Sequence, residues 1–138
     1  MKKIAFILIL IIVFSCDSDN NVNSFLPNHP VNIQINMDLP IYNDLLYSGG
    51  LVEVDENIGG IRGIVIYRTG NRFLAFDRAC PHISLQTCAV MNVESIYMVC
   101  ECDDKRFQLI DGAAEDADTP PARAYIVTQN GNILNIRS

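Results

Sequence analysis

The chain has 138 residues and a formal net charge of −6, with 10 Lys and Arg against 16 Asp and Glu. A chain of this length forms one domain, and its hydrophobic fraction of 49% leaves enough apolar residues for a modest core. The acidic balance and the lack of basic runs argue against nucleic acid as a partner.

Residues 1–15 have the pattern of a signal peptide. Lys2 and Lys3 form a short basic start, and an uncharged apolar run follows over residues 4–14. This run is too short to span a bilayer as a helix, which takes roughly 20 residues, but it fits the central region of a signal peptide. An uncleaved anchor and an ordinary secretory signal are the alternatives to a lipoprotein signal.

The run ends in Ser15-Cys16, a small residue followed by cysteine, which resembles the lipobox of bacterial lipoproteins. The resemblance implies that Cys16 is acylated and becomes the first residue of the mature chain. Acyl chains contribute ~0.8 kcal/mol per buried methylene, so several of them hold a protein firmly at a bilayer. The expected location is therefore the cell envelope, outside the cytoplasm, with the membrane as a partner through Cys16.

Residues 16–30 are predicted to be a lipidated cysteine and a polar tether, since Asn, Ser, Asp and Pro dominate them. Residues 31–36 then alternate strictly between apolar and polar side chains, as in a half-buried strand. Only residues 38–47 have the composition of a short helix. One domain is predicted over residues 31–138.

The rest of the chain contains many short runs of β character, separated by turn sequences such as Gly70-Asn71 and Asn130-Gly131. Short strands at this spacing indicate an all-β fold, a small sandwich or open barrel of antiparallel strands. The predicted strands after the first are residues 51–54, 61–68, 72–76, 96–100, 106–110, 124–128 and 133–136.

Apart from Cys16, the cysteines lie within a 23-residue window. In an exported protein, an even number of cysteines favours disulfides, and four cysteines allow three pairings. The positions are Cys80, Cys88, Cys100 and Cys102.

Two short boxes occupy this window: Cys80-Pro81-His82 and, 17 residues further on, Cys100-Glu101-Cys102-Asp103. The two boxes resemble those of the Rieske [2Fe-2S] domain family, whose cluster is held by two thiolates on one iron and two imidazoles on the other. The resemblance implies that Cys80 and Cys100 are the thiolate positions and His82 the first imidazole. Asp103 stands where the second imidazole belongs.

The resemblance extends beyond the ligand positions. It implies that Cys88 and Cys102 are the disulfide pair that ties the two cluster loops together. Residues 73–77 are similar to the strand that leads into the first box. Residues 106–112 and the Pro120-Pro121-Ala122 segment are similar to the strand and the proline loop that follow the second.

The departures from the family argue against a standard cluster. The only other histidine is His29, which lies in the predicted tether. The Gly-Ser that usually follows the second box, and whose donors help set the potential, is Asp104-Lys105 here. Asp103 could ligate iron, since carboxylate is a hard ligand, but it would give a weaker site of lower potential.

The signal sequence also argues against a standard cluster. Exported Rieske proteins commonly cross the membrane folded, behind a twin-arginine signal, whereas this chain has only Lys2 and Lys3. A chain that is threaded unfolded cannot carry a finished cluster, and it emerges where cysteines are oxidised. Without a cluster, Cys80 and Cys100 could also form a disulfide, and His82 would be a solvent-facing residue at the loop tip.

The favoured hypothesis is therefore a cluster-free Rieske-like envelope lipoprotein with a binding or structural role and no favoured cofactor. The alternative is a membrane-tethered electron carrier in which Cys80, His82, Cys100 and Asp103 hold [2Fe-2S]. A redox protein or another envelope protein is the expected partner. Neither hypothesis makes the chain an enzyme, because an isolated Rieske module passes electrons without transforming a substrate.

Three other sites fit the sequence less well. Zinc could bind Cys80, His82, Cys100 and Cys102, but structural zinc sites prefer a wider spacing than Cys-x-Cys. A catalytic Cys80 activated by His82 lacks a third group to orient the histidine. The acidic residues 115–118 lack the spacing of a known calcium loop and fit a solvated loop.

Overall fold

The computed structural model describes residues 24–138, so the predicted signal peptide and Cys16 lie outside the described residues. Within this range the chain forms strands β1 to β9 and one 3-10 helix, Asn43–Leu46, without any α-helix. None of its helices within residues 24–138 has the length and apolar character needed to cross a bilayer. The strands are β1 Asn32–Asn36, β2 Leu51–Val54, β3 Ile64–Thr69, β4 Arg72–Asp77, β5 Met91–Glu94, β6 Tyr97–Cys100, β7 Arg106–Gln108, β8 Ala124–Asn130 and β9 Ile133–Arg137.

Six strands form a large antiparallel sheet in the order β1-β9-β8-β4-β3-β2. The alternation in β1 buries Ile35 opposite Leu134 of β9, while the polar residues of the strand face away from the core. Side chains on one face of this sheet, among them Ile64 and Ile66 of β3, form the first hydrophobic cluster. The other face of β3 contributes Val65 to a second cluster. Strand β3 is therefore buried on both faces.

The second sheet has three antiparallel strands in the order β5-β6-β7. Its buried side chains include Met91, Met98 and Phe107, one from each strand, and they pack with Val65 and Phe76 of the large sheet. Because the second cluster is shared between the two sheets, burial of its apolar surface fixes the small sheet against the large one.

The prediction of an all-β fold built from short antiparallel strands is confirmed. The predicted helix over residues 38–47 is reduced to the 3-10 helix, and β5 was not predicted. Strand β3 begins at Ile64 rather than at residue 61, because the backbone N–H groups of Ile61 and Arg62 bind a side chain instead of a neighbouring strand.

That side chain is Asp77, the last residue of β4, whose carboxylate is completely buried. Oδ2 accepts from the Ile61 N–H and the Tyr125 hydroxyl, both at 2.6 Å. Oδ1 accepts from the Ala79 N–H at 2.7 Å and the Arg62 N–H at 3.2 Å. Four donors use the full accepting capacity of a carboxylate, which offsets the cost of burying it.

The hydrogen bond from Tyr125 to Asp77 makes the stability of the fold depend on pH. Burial of the phenol, together with its hydrogen bond to Asp77, raises the pKa of Tyr125 above its ordinary value. A raised pKa in the folded state contributes stability that is fully present below the unfolded pKa of about 10 and is lost as the pH rises above it.

We therefore expect Tyr125→Phe to lower the free energy of unfolding by about 2 kcal/mol at neutral pH, because Asp77 loses a charge-assisted hydrogen bond. The difference from wild type should be constant up to about pH 9 and shrink above about pH 10. Urea unfolding across this pH range measures it, with the exposed Tyr47→Phe as control. A difference that grows at alkaline pH would contradict the assignment.

Candidate functional site

The two cysteine loops lie side by side because both bind one stretch of backbone, residues 89–91. On one side, the Cys80 N–H donates to the Ala89 carbonyl at 3.3 Å, and the Met91 N–H donates to the Arg78 carbonyl at 2.6 Å. On the other side, Met91 pairs with Cys100 in the small sheet, and the Glu101 N–H donates to the Val90 carbonyl at 3.0 Å. This stretch, called the shared ladder below, holds the two cysteine loops at a fixed separation.

Two disulfides cross-link the loops. Cys80 is bonded to Cys100, and Cys88 is bonded to Cys102, with Cα–Cα distances of 5.8 and 5.0 Å. Cys80 and Cys100 are fully buried in the second hydrophobic cluster, whereas Cys88 and Cys102 are partly exposed. The structure thus contains the pair implied by the family and also the second pair, which joins the two thiolate positions.

His82 is not a solvent-facing residue, and that prediction is wrong. Its side chain is only 8% exposed, and its ring lies 5.7 Å from the ring of Phe107, a buried residue of the second cluster. Nε2 lies 2.8 Å from Oδ2 of Asp103, while Nδ1 is buried with no hydrogen-bond partner among the described residues. Packing on Phe107 and the Asp103 contact together orient the imidazole.

Asp103 forms the open side of this group, with its side chain 34% exposed. Its Oδ1 accepts from the Lys105 N–H at 3.3 Å, which turns the carboxylate toward His82. The loop closes through Asp104, which adopts a left-handed conformation with φ of 61° and donates its N–H to the Cys100 carbonyl at 2.9 Å. Asp103 is thus positioned by the same short turn that presents Cys100.

Lys105 points away from this group. Its ammonium group donates to Thr119 at 2.8 Å and to Asp116 at 3.1 Å. The hydrogen bond from Lys105 lowers the pKa of the Asp116 carboxyl below its ordinary value. Asp116 belongs to the acidic loop 115–118, whose carboxylates are exposed, in agreement with a solvated loop.

The donors at this site do not fit a standard Rieske cluster. Such a cluster requires two thiolates and two imidazoles, whereas Cys80 and Cys100 are joined to each other and His82 is the only imidazole. Donor atoms of His82, Cys100 and Asp103 lie within 4.8 Å of one another. Donors this close surround a single point, whereas the ligands of a binuclear cluster must reach two irons.

The N-terminal segment also contacts this end of the molecule, which the sequence did not predict. The Phe25 N–H donates to the Pro81 carbonyl at 3.0 Å, and Leu26 is buried. The guanidinium of Arg123 donates to the carbonyls of Pro27 and Leu26, at 2.6 and 3.0 Å. Part of the predicted tether, although polar in composition, is therefore bound to the domain beside the first cysteine loop.

Asp77 positions the first loop and was also missed. It binds the N–H of Ala79, the residue before Cys80, and so connects β4 directly to the site. A single buried aspartate has no spacing signal in the sequence, because its donors come from residues 61–62, 79 and 125. Only the fold brings these donors together.

A small all-β domain that presents a Cys-x-His loop beside a second cysteine loop is the arrangement implied by the Rieske resemblance. None of the protein-family models matches the chain, and none of the curated proteins does.

Several solved structures are similar to the chain at low identity. One is the ferredoxin of carbazole 1,9a-dioxygenase from Nocardioides aromaticivorans IC177, with 22% identity and a TM-score of 0.46 over 79% of this chain and 97% of that one. Another is a Sphingomonas yanoikuyae B1 ferredoxin, with 18% identity and a TM-score of 0.45 over 67% of this chain and 88% of that one. A third is a chain in the complex of reduced oxygenase and oxidized ferredoxin in carbazole 1,9a-dioxygenase, with 15% identity and a TM-score of 0.48 over 78% and 92%.

Each disulfide is expected to stabilise the domain by about 3 kcal/mol, because both close loops of similar length in the unfolded chain. Replacing Cys88 and Cys102 together by Ala should cost about this amount. Replacing Cys80 and Cys100 should cost more, since both side chains are buried and their loss also leaves a cavity. Urea unfolding measures the free energies, and thiol titration of the unfolded domain should find no free thiol among residues 24–138. One or more free thiols would contradict the pairing.

Proposed function

We propose that the chain is a membrane-tethered, Rieske-like envelope lipoprotein whose cysteine loops are closed by disulfides, with a binding or structural role and no catalysis of its own. The observation that carries this proposal is the bond between Cys80 and Cys100. A sulfur in a disulfide is not a thiolate, and the thiolate is the form that ligates a metal. The single imidazole of His82 supports the same conclusion.

The disulfides fit an oxidising compartment, which is where a lipoprotein of the cell envelope resides. The two bridges connect residues that are 20 and 14 positions apart in the chain, and they rigidify the end of the domain at which both loops meet. A rigid surface loses little conformational entropy on binding, which favours recognition of a partner at this end. The partner we propose is another protein of the envelope.

The N-terminal segment supports a defined orientation at the membrane. Residues 25–27 are bound beside Pro81 and Arg123, so the tether leaves the domain from the end that carries the cysteine loops. Only seven residues lie between Cys16 and Ser24, so eight Cα–Cα steps join the two. Fully extended, they span at most about 30 Å. We propose that this short tether keeps the cysteine loops close to the bilayer and to partners at its surface.

An electron carrier is the second candidate. The observation in its favour is that the loop of Cys80 and His82 lies beside the loop of Cys100 and Asp103. This candidate requires the Cys80–Cys100 bond to be reduced and Asp103 to replace an imidazole. Its docking surface would be the same end of the domain, with the small, transient interface typical of electron carriers.

The two candidates differ in the composition of the native protein. We expect the mature chain, purified from its own membrane, to be colourless, to hold no stoichiometric iron and to have no free thiol among the four cysteines of residues 80–102. Visible absorption, iron analysis and thiol titration measure these properties. A red-brown protein with about two irons per chain would establish the electron carrier instead.

Membrane attachment has its own test. We expect Cys16→Ser to move the chain from the membrane fraction to the soluble fraction, because the acyl chains that hold it can no longer be added. Cys88→Ser, which removes a different cysteine, serves as the control and should leave the chain in the membrane fraction. Fractionation and immunoblotting give the readout. A Cys16→Ser chain that stays with the membrane would indicate an uncleaved anchor.

A further inference from the structure

We propose that the domain rests on the bilayer to which it is tethered, with Phe25 of the N-terminal segment and Leu85 of the first cysteine loop inserted among the lipid headgroups. The inference rests on the lipoprotein proposed above, and it goes further because it assigns the face of the domain that contacts lipid. The partner at this face is the lipid surface itself and not a protein.

Phe25 cannot move far from the lipid. It follows the proposed acylated Cys16 by nine positions, and nine residues span at most about 32 Å when fully extended. Strand β4, six residues long, spans about 20 Å of the domain and ends three residues before Cys80. The tether therefore holds the end with the cysteine loops nearest to the bilayer and keeps the opposite end away from it.

The side chain of Phe25 is 64% exposed, although its backbone is fixed to the domain. Its N–H donates to the Pro81 carbonyl at 3.0 Å. The next residue, Leu26, is buried, and its carbonyl accepts from Arg123 at 3.0 Å. Phe25 thus projects from a fixed position, and transfer of its ring from water to an apolar environment is favourable.

Leu85 is a second apolar side chain that projects at this end, and it is 41% exposed. The loop that carries it is fixed to the shared ladder, residues 89–91, since the Ala89 N–H donates to the Gln86 carbonyl at 3.0 Å. The two disulfides also hold this loop against the second cysteine loop. Pro81, which binds Phe25, belongs to the same loop, so Phe25 and Leu85 lie at the same end of the domain.

The charges around these two side chains suit lipid headgroups. Residues 79–90 contain no Asp, Glu, Lys or Arg. The nearest cations are Arg123, which binds the carbonyls of residues 26 and 27, and Arg62, whose Nη2 donates to the Gln86 carbonyl at 2.9 Å. Arg62 pairs with Glu56 at 3.7 Å, whereas Arg123 forms no ion pair within residues 24–138. Guanidinium groups bind phosphate through paired N–H donors.

The second cysteine loop limits the contact to one side of this end. It carries the exposed acidic residues Glu101, Asp103 and Asp104, and carboxylates are costly to remove from water and are repelled by anionic lipids. We expect the domain to tilt so that the N-terminal segment and the first loop meet the lipid. The second loop then stays in water, where a protein partner can reach it.

Two apolar side chains bind a bilayer only weakly by themselves, and the tether makes such a contact effective. A short linker raises the effective concentration of one binding site at the other to about the millimolar range. The contact therefore needs the acyl chains of Cys16, and a chain without them should remain in solution.

Tryptophan fluorescence tests the contact, because the chain has no tryptophan of its own. The mature acylated chain with Phe25→Trp, Leu85→Trp or Tyr47→Trp is reconstituted into phosphatidylcholine vesicles, with or without phosphatidylcholine brominated in the upper part of its acyl chains. Tyr47→Trp is the matched control. Tyr47 is 71% exposed and lies in the turn that binds Arg68, near the end of β3 farthest from the cysteine loops.

We expect the Phe25→Trp and Leu85→Trp chains to lose more than about half of their emission to the bromines, because an interfacial side chain reaches ~5–10 Å into the boundary of headgroups and acyl chains. Their emission should also shift to shorter wavelength in vesicles without bromine. The Tyr47→Trp chain should keep the emission of a tryptophan in water. Flotation of the same vesicles shows whether each chain is attached, and circular dichroism checks its fold.

Two results would overturn the inference and leave the lipoprotein in place. In the first, the chains float with the vesicles, but the Phe25→Trp or the Leu85→Trp chain is not quenched, which would leave this face open to a protein partner. In the second, the Tyr47→Trp chain is quenched as strongly as the others, so that the domain lies on another face. A wild-type chain that does not float would instead overturn the membrane attachment, and this inference with it.

Discussion

The buried carboxylate of Asp77 is the constraint on which the rest of the structure depends. It ends β4, fixes the loop before β3, anchors Tyr125 of β8 and binds the N–H of Ala79. Burying a charge is unfavourable unless hydrogen bonds replace its water, so this residue is stable only when all these segments are in place. The large sheet and the first cysteine loop are therefore coupled through one side chain.

The two sheets have different roles in the structure. The six-stranded sheet supplies most of the aliphatic core, and its strand β3 is buried on both faces. The three-stranded sheet carries the cysteine loops and buries Phe107, against which His82 packs. The imidazole is thus oriented by packing against the hydrophobic core and by its contact with Asp103.

The sequence predicted the features that a local pattern of residues can specify. Period-two alternation located β1, and the Cys-x-His and Cys-x-Cys spacings identified the two loops. It missed β5, whose four residues pair with Cys100 and its neighbours through contacts that no local pattern encodes. It also placed His82 in solvent, because burial on Phe107 depends on the packing of the two sheets. The contacts of Asp77 and of Arg123 with the N-terminal segment are equally nonlocal.

The order of the bridged cysteines has a consequence for the resistance of the domain to proteolysis. Because Cys80 pairs with Cys100 and Cys88 with Cys102, the two bridges interleave along the chain. Residues 84–87 are exposed, and proteolytic cleavage concentrates at exposed loop tips of this kind. A single cut anywhere between residues 80 and 102 still leaves its two products covalently joined. The nicked molecule therefore keeps both of its fragments, and the two cysteine loops stay joined after the cut.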